Sequence, residues 1–261
     1  MKDDNNYRHP EEPNRRASPK ARWVSLGGGC DVATELLQRR GLSDTSHFFD
    51  YLWNLDGGLN NVSRIIASRF AGFDSQECFI RLRHPEWNTA EVAGSLRIAC
   101  ADLEAEQLCH RDYPDIVFLH YREGAELVDK LSRKAERFMQ LLEGNGPLTF
   151  IYYRQYHGPI LGQYINKPNY DIDDKLCHWQ TETEKFVQFL TGLYPLVDFR
   201  IVSCFMGPHT QLPGVNDVIT EYISALGDTD RINWRQVTRR GGPSGLLSWD
   251  ALYDEYCRDL L

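Results

Sequence analysis

The sequence predicts a three-layer α/β domain, in which a mostly parallel sheet carries helices on both faces. Buried-strand and helical patterns alternate along the middle of the chain, with strands at residues 115–121, 148–154 and 197–205 and helices at residues 123–142 and from Thr181 onward. Each connection is long enough for the crossover that parallel strands require. An earlier apolar run, Trp23 to Leu26, predicts a further short strand.

Composition indicates an ordinary folded protein with an acidic surface. Hydrophobic residues make up 42% of the 261 residues and charged residues 25%, so a single α/β domain over residues 21–261 is expected, preceded by a polar, disordered tail over residues 1–20. The net charge of -8 argues against nucleic acid or an anionic membrane as partner. The sequence contains no apolar run of membrane-spanning length and begins with a polar segment, which favours a cytoplasmic location.

Cysteine usage argues against a disulfide framework and against structural zinc, because the seven cysteines are scattered without a C-x-x-C pair. One polar group attracts attention as a potential metal site: Asp171, Asp173, Asp174, Cys177 and His178. Its spacing fits neither a calcium loop nor a zinc pattern, so these residues are interpreted as solvated side chains of an irregular insertion near residues 155–180. Neither a metal nor a cofactor is expected.

The most informative stretch places a cysteine at a turn between strand and helix. Gly27, Gly28 and Gly29 follow the first strand, and a helical pattern begins at Val32, so Cys30 lies at or next to a helix N-terminus. Unpaired N–H groups and the helix dipole favour a thiolate there, which makes the sulfur nucleophilic. The alternative is that Cys30 is a small core residue, a common role for cysteine.

A second functional interpretation depends on the glycines rather than on the sulfur. A strand, a glycine-rich turn and a helix also bind mononucleotides or S-adenosylmethionine, with an acid near the end of the next strand contacting ribose. Asp50 lies about where that acid would fall, although the three glycines form only part of the fingerprint. Both interpretations remain open on this pattern alone.

Other candidate site residues follow predicted strands. In parallel α/β sheets, sites form outside the carboxyl ends of the strands, and Cys30, His120 and Arg154 each come just after a predicted strand. We therefore expect them at one edge of the sheet. Arg154 would bind a substrate carboxylate or phosphate, or pair with a local acid.

Several segments together resemble a largely uncharacterised family described as papain-like cysteine peptidases, a name that is itself a prediction. The similarity spans roughly residues 22–154, and Phe48 and Tyr51 depart from the family's usual proline and tryptophan. The segments that carry it are Ser25-Leu26-Gly27-x-x-Cys30-x-x-Ala33-x-x-Leu36, Phe49-Asp50-Tyr51, the helical pattern Leu59 to Phe73, Phe118-x-His120, and Ala135-Glu136-Arg137-Phe138 through Phe150-Ile151.

The resemblance implies a papain-like α+β fold, whereas the order of strands and helices favours the parallel α/β sheet. It also implies that Cys30 is a nucleophile and His120 its base, with Asp50 either orienting the imidazole or capping its own turn. His47, close to Asp50 in sequence, is the alternative base.

The expected reaction attacks a peptide, amide or acyl carbonyl and forms a thioester, with N–H groups of Gly28, Gly29 and Cys30 holding the oxyanion. Water would complete a hydrolase, whereas an amine or alcohol would complete an acyl transferase. The third function considered is an inactive interaction module. The oligomeric state is not predicted by the sequence.

Overall fold

The structure of this chain is a computed structural model. It covers residues 22–28, 32–34, 46–50, 52–54, 57–82, 107–118, 124–144, 146–155, 171–207, 214–238, 247–248, 251–252 and 255. The tail predicted over residues 1–20 lies outside these ranges.

Nine strands, four α-helices and one short 3-10 helix, Gln76–Cys78, are described. In chain order the strands and α-helices are β1 (Arg22–Ser25), β2 (Trp53–Asn54), α1 (Gly58–Ala67), β3 (Phe79–Leu82), β4 (Gln107–His110), β5 (Tyr113–Val117), α2 (Gly124–Glu143), β6 (Leu148–Gln155), α3 (Ile172–Leu193), β7 (Phe199–Met206), α4 (Val215–Leu226), β8 (Ile232–Thr238) and β9 (Leu247–Ser248). None of these helices is both long and apolar enough to cross a membrane.

Five strands form a parallel sheet in the order β1-β6-β7-β8-β9, which confirms the predicted α/β class. Val24 of β1 pairs with Phe150 of β6, and Phe150 pairs in turn with Ile201 of β7. β6 and β7 are in register over eight residue pairs and are buried along most of their length. Their continuous apolar character is typical of strands covered on both faces.

The two faces of the parallel sheet bury different residues. On the first face Phe150, Ile201 and Trp234 pack against all four helices. On the second face Ile151, Val202 and their neighbours pack against the helical residues Val32 and Leu252. Because side chains alternate along a strand, each strand contributes to both layers. The domain therefore has the three layers that the sequence predicts.

A second sheet, not predicted from the sequence, contains four antiparallel strands in the order β2-β5-β4-β3. The prediction that residues 115–121 belong to the parallel sheet is wrong, because β5 lies in this second sheet. Only Arg111 and Asp112 separate β4 from β5, and so short a connection forces the two strands to run antiparallel.

Two predicted helices have different bounds in the structure. The pattern Leu59 to Phe73 is helical only as far as Ala67, because Arg69 and Phe70 adopt positive φ angles of 52° and 63°. The helix predicted from Thr181 begins at Ile172, where the Asp171 carboxylate accepts the Asp173 N–H at 3.0 Å. Residues 172–180 of the expected irregular insertion are therefore helical.

Candidate functional site

β1 ends at Ser25, beside Ile151 of β6, and the helical residues next described after each strand lie on opposite faces of the sheet. After β1, helical residue Val32 packs on the second face together with Tyr153. After β6, helix α3 packs on the first face. In open α/β sheets, ligands bind outside the carboxyl ends of neighbouring strands whose connections take opposite faces, so we expect a binding crevice beside β1 and β6. The crevice is the candidate site.

The glycine turn borders this crevice and depends on its glycines. Gly27 and Gly28 have φ angles of 87° and 101°, which side-chain-bearing residues rarely adopt. A Cβ on Gly28 would collide with the carbonyl oxygen of Tyr153, and a Cβ on Gly27 would lie 3.3 Å from the carbonyl oxygen of Phe49. The Gly27 N–H donates to the Ser25 hydroxyl at 3.1 Å. The turn is therefore packed tightly between β6 and the segment around Phe49.

Three of the predicted site residues, Gly29, Cys30 and His120, lie outside the described residues. Cys30 follows Gly28 by two positions, and His120 follows Phe118 by two positions. The expectation that His120 shares a sheet edge with Cys30 loses its basis, because β5, the strand before His120, belongs to the antiparallel sheet. The catalytic assignment of these residues stays a prediction.

Asp50 is buried and caps its own turn. Its side chain is 2% exposed, and Oδ2 accepts the His47 N–H at 2.6 Å. Among the described residues, neither Asp50 Oδ1 nor His47 Nδ1, both buried, has a hydrogen-bond partner. Of the two roles that the sequence left open for Asp50, these contacts show the capping one.

The charge states of Asp50 and His47 are set by their burial and by the cations of helix α2. Burial raises the pKa of Asp50 to about 7, although the His47 N–H and the nearby cations Lys134 and Arg137 oppose the shift. Burial lowers the pKa of His47 to about 4, and Arg137, Lys134 and Arg22 add to the effect. Both side chains are therefore held towards their neutral forms.

The turn that carries Asp50 lies directly against the glycine turn. The Phe49 and Leu52 carbonyl oxygens are the close neighbours of Gly27. Helix α2 fixes the start of the turn, where Arg137 donates to the Ser46 carbonyl at 3.0 Å. Edge-to-face contacts with other rings hold the side chains of Phe48 and Phe49. The ring centroids lie 4.5–5.2 Å apart in the pairs Phe48–Phe70, Phe48–Phe73 and Phe49–Phe138.

Arg154 pairs with a local acid, the second of the two roles predicted for it. Its Nε and Nη2 donate to Glu182 at 2.8 and 3.2 Å, and the two side chains are 6% and 1% exposed. Sequence reasoning missed Glu182 and took it as part of a helix start. The available signal was its place next to Thr183 in the apolar stripe of α3, which contains Leu176, Trp179, Phe186 and Leu190.

His110 is a buried histidine with a structural role. Its ring stacks on Phe73 with centroids 4.1 Å apart, Nε2 lies 3.1 Å from the Gly72 carbonyl, and Nδ1 accepts the Asp112 N–H. This arrangement fits the neutral ring that donates from Nε2. Burial lowers the pKa of His110, which favours the same form.

The cysteines that the structure describes differ in accessibility. Cys109 and Cys204 are fully buried, and burial raises the pKa of the Cys204 thiol far above its ordinary range. Cys177 is exposed on α3. Within the described ranges, His, Cys, Asp and Glu side chains do not come together in groups of three or more that could hold a metal ion.

A protein-family model described as "Putative papain-like cysteine peptidase" matches residues 21–157, which is more than half of the chain. Neither a curated protein nor a solved structure matches the chain significantly. The matched segment contains β1, the glycine turn, the antiparallel sheet, α2 and β6.

Proposed function

The chain belongs to this papain-like cysteine peptidase family, and on that basis we propose that it is a thiol enzyme with Cys30 as nucleophile and His120 as base. One observation supports this most directly. The backbone of Gly27 and Gly28 is left-handed and packs against Tyr153 near the end of β6, and Cys30 follows Gly28 by two residues. Described helical residues begin at Val32, two positions after Cys30, and the N-terminal end of a helix is an environment that lowers the pKa of a thiol.

In the proposed reaction His120 takes the Cys30 proton, and the thiolate attacks the carbonyl carbon of a peptide, amide or acyl substrate. N–H groups of Gly28, Gly29 and Cys30 stabilise the oxyanion. The tetrahedral intermediate collapses to a thioester, and His120 returns the proton to the departing group. Attack by water then gives a hydrolase and attack by an amine or alcohol gives an acyl transferase. The net charge of -8 favours such substrates over nucleic acid.

The remaining predicted site residues support this chemistry indirectly. Asp50 caps the turn that lies against Gly27, so we assign it to holding the glycine turn rather than to orienting an imidazole. His47 is buried and its pKa is about 4, which makes it a weak base at neutral pH. Because Arg154 forms a bidentate pair with Glu182, we do not assign it to substrate binding.

The nucleotide or S-adenosylmethionine alternative receives no support from the described contacts. It requires Asp50 to present a carboxylate to a ligand from the end of a neighbouring strand. Instead Asp50 is 2% exposed in a turn, and the strand beside β1 is β6. A thermal-shift assay with S-adenosylmethionine and ATP tests this alternative, and a saturable rise in Tm with either compound would revive it.

Alkylation by iodoacetamide at pH 7 tests the thiol mechanism. We expect Cys30 to react at least about tenfold faster than the exposed Cys177, because only an activated thiol is substantially ionised at that pH. His120→Ala should slow Cys30 and leave Cys177 unchanged. Equal rates at the two cysteines would refute the proposal and favour an inactive interaction module.

A further inference from the structure

We propose that Glu182, which lies outside the family-matched segment, is a positioning residue that holds the carboxyl end of β6 against the glycine turn. This inference rests on the proposed role of Cys30. Glu182 belongs to α3, so the second half of the chain would set the geometry of a turn in the first half.

The carboxylate of Glu182, on α3, accepts hydrogen bonds from donors on two other elements, β6 and α1. Oε1 accepts the Tyr152 hydroxyl and the Arg154 Nε, each at 2.8 Å. Oε2 accepts the Arg154 Nη2 at 3.2 Å and the backbone N–H of Leu59 at 3.1 Å. The four bonds satisfy a carboxylate that is 1% exposed, and they join β6, the N-terminal end of α1 and α3.

The surroundings leave this carboxylate little freedom. A Cβ on Gly58 would collide with Oε2, so α1 approaches Glu182 as closely as a glycine permits. Asn54 donates to the Gly58 carbonyl at 2.6 Å, and Asn61 donates to Asn54, which fixes that end of α1 from its other side. His178, one turn earlier on α3, lies 3.8 Å from Oε2.

The contacts lead from Glu182 to the glycine turn in two steps. Tyr152 and Arg154 alternate with Tyr153 along β6, so Glu182 holds the residues on both sides of it. Together with the ladder that pairs β6 with β7, holding both neighbours limits rotation of the Tyr153 peptide group and so the direction of its carbonyl oxygen. That oxygen is the atom that a Cβ on Gly28 would meet. A rotation of this peptide would displace the turn two residues before Cys30.

A matched pair of tyrosine variants tests the inference. Tyr152→Phe removes one bond to Glu182, whereas Tyr222→Phe removes a hydroxyl that bonds to Gln180, another α3 side chain, at 2.6 Å. We expect Tyr152→Phe to slow Cys30 alkylation at least threefold and to raise the pH of half-maximal rate. Tyr222→Phe should change neither quantity. A purely structural role would lower Tm without moving the pH profile.

A second pair of variants removes the ion pair itself without leaving a buried unpaired charge. The Met–Gln protein combines Arg154→Met with Glu182→Gln and keeps a side-chain acceptor for Tyr152 or Leu59. The Met–Met protein combines Arg154→Met with Glu182→Met and keeps no such acceptor. We expect the Met–Met protein to alkylate Cys30 about ten to a hundred times more slowly than wild type, as displaced reactive groups do. The Met–Gln protein should recover most of that rate.

The outcomes separate this inference from the proposed function. If wild-type Cys30 is no more reactive than Cys177, both fail. If wild-type Cys30 is activated but Tyr152→Phe leaves its rate and pH profile unchanged, the positioning role is refuted and the thiol mechanism stands. Equal Cys30 rates in folded Met–Met and Met–Gln proteins refute the positioning role in the same way.

Discussion

The carbonyl oxygen of Tyr153 occupies the space in which a side chain on Gly28 would begin. Strand β6 and the glycine turn therefore fit together only while residue 28 lacks a Cβ. The φ angle of 101° at Gly28 imposes the same requirement independently. Two physical constraints thus act on one residue at the edge of the candidate site.

Gly28→Ala should destabilise the protein by about 1–3 kcal/mol or more, because the costs of a strained backbone and of a steric clash add together. Gly192→Ala is the matched control, because a Cβ there meets nothing within 4 Å and the residue lies in α3. That substitution should be neutral or stabilising by about 0.5–1 kcal/mol. Urea denaturation of both variants measures the difference, and equal stabilities would contradict the described packing.

Asp50→Asn should make the protein more stable than wild type at pH 8 and nearly equal to it at pH 4. The pKa of Asp50 is about 7 when folded against an ordinary value of 3.8, so the folded state keeps a proton that the unfolded state has lost. The contribution of Asp50 to the stability of the wild-type protein therefore falls as pH rises from about 4 to 7. The difference should reach the order of 2–4 kcal/mol. A difference independent of pH would show that Asp50 titrates normally.

His47→Gln should have the opposite pH dependence. The pKa of His47 is about 4 when folded against an ordinary 6.5, so the folded state excludes a proton and wild type loses stability as pH falls from 6.5 towards 4. The variant lacks this loss, so its free energy of unfolding should rise relative to that of wild type as pH falls through that range. In wild type the pH-dependent contributions of Asp50 and His47 to stability partly cancel, so each contribution is seen only in the single variants. Denaturation midpoints at pH 4.5, 6 and 7.5 provide the measurement.

Glu182→Gln should cost about 3–5 kcal/mol, because it leaves the Arg154 guanidinium buried without its carboxylate. Glu184→Gln, two residues away on the exposed side of α3, should change stability by no more than about 0.5 kcal/mol. Urea denaturation at pH 7 compares the two. Similar small effects would mean that the ion pair is not maintained in solution.

Cys109 and Cys204 should resist iodoacetamide in the native protein, since both are fully buried. Cys177 should react, and all cysteines should react in urea. Peptide mapping by mass spectrometry identifies the labelled sites. Rapid native labelling of Cys204 would indicate that the second face of the sheet opens readily.

Local patterns were enough to predict helix α2 and three strands of the parallel sheet, β1, β6 and β7, but not β8 or β9. The strand predicted at residues 148–154 is observed as Leu148–Gln155, and the helix predicted at residues 123–142 as Gly124–Glu143. A strand buried on both faces has a continuous apolar run. A helix with a single apolar stripe has apolar residues at the helical period. The antiparallel sheet was missed because strands β3 and β4 have only four residues each and carry mixed signals.

Long-range pairing explains what the sequence did not reveal about the site. The two roles of Arg154 were indistinguishable until the fold placed Glu182, 28 residues later, within 2.8 Å. Asp50 was equally ambiguous, because a carboxylate that caps its own turn and one that orients an imidazole have the same local sequence. Tertiary packing distinguished the roles of Arg154, whereas the capping contact of Asp50 is local and needed only the backbone geometry of its turn.

The family-matched segment ends at residue 157, immediately after β6, while β7, β8 and β9 come from the rest of the chain. Excised at that point, β6 would present eight residues of unpaired backbone hydrogen-bonding groups and an uncovered apolar surface. Such an edge recruits other strands and promotes aggregation. We therefore expect the matched segment to need the rest of the chain, which covers this edge of β6, in order to fold.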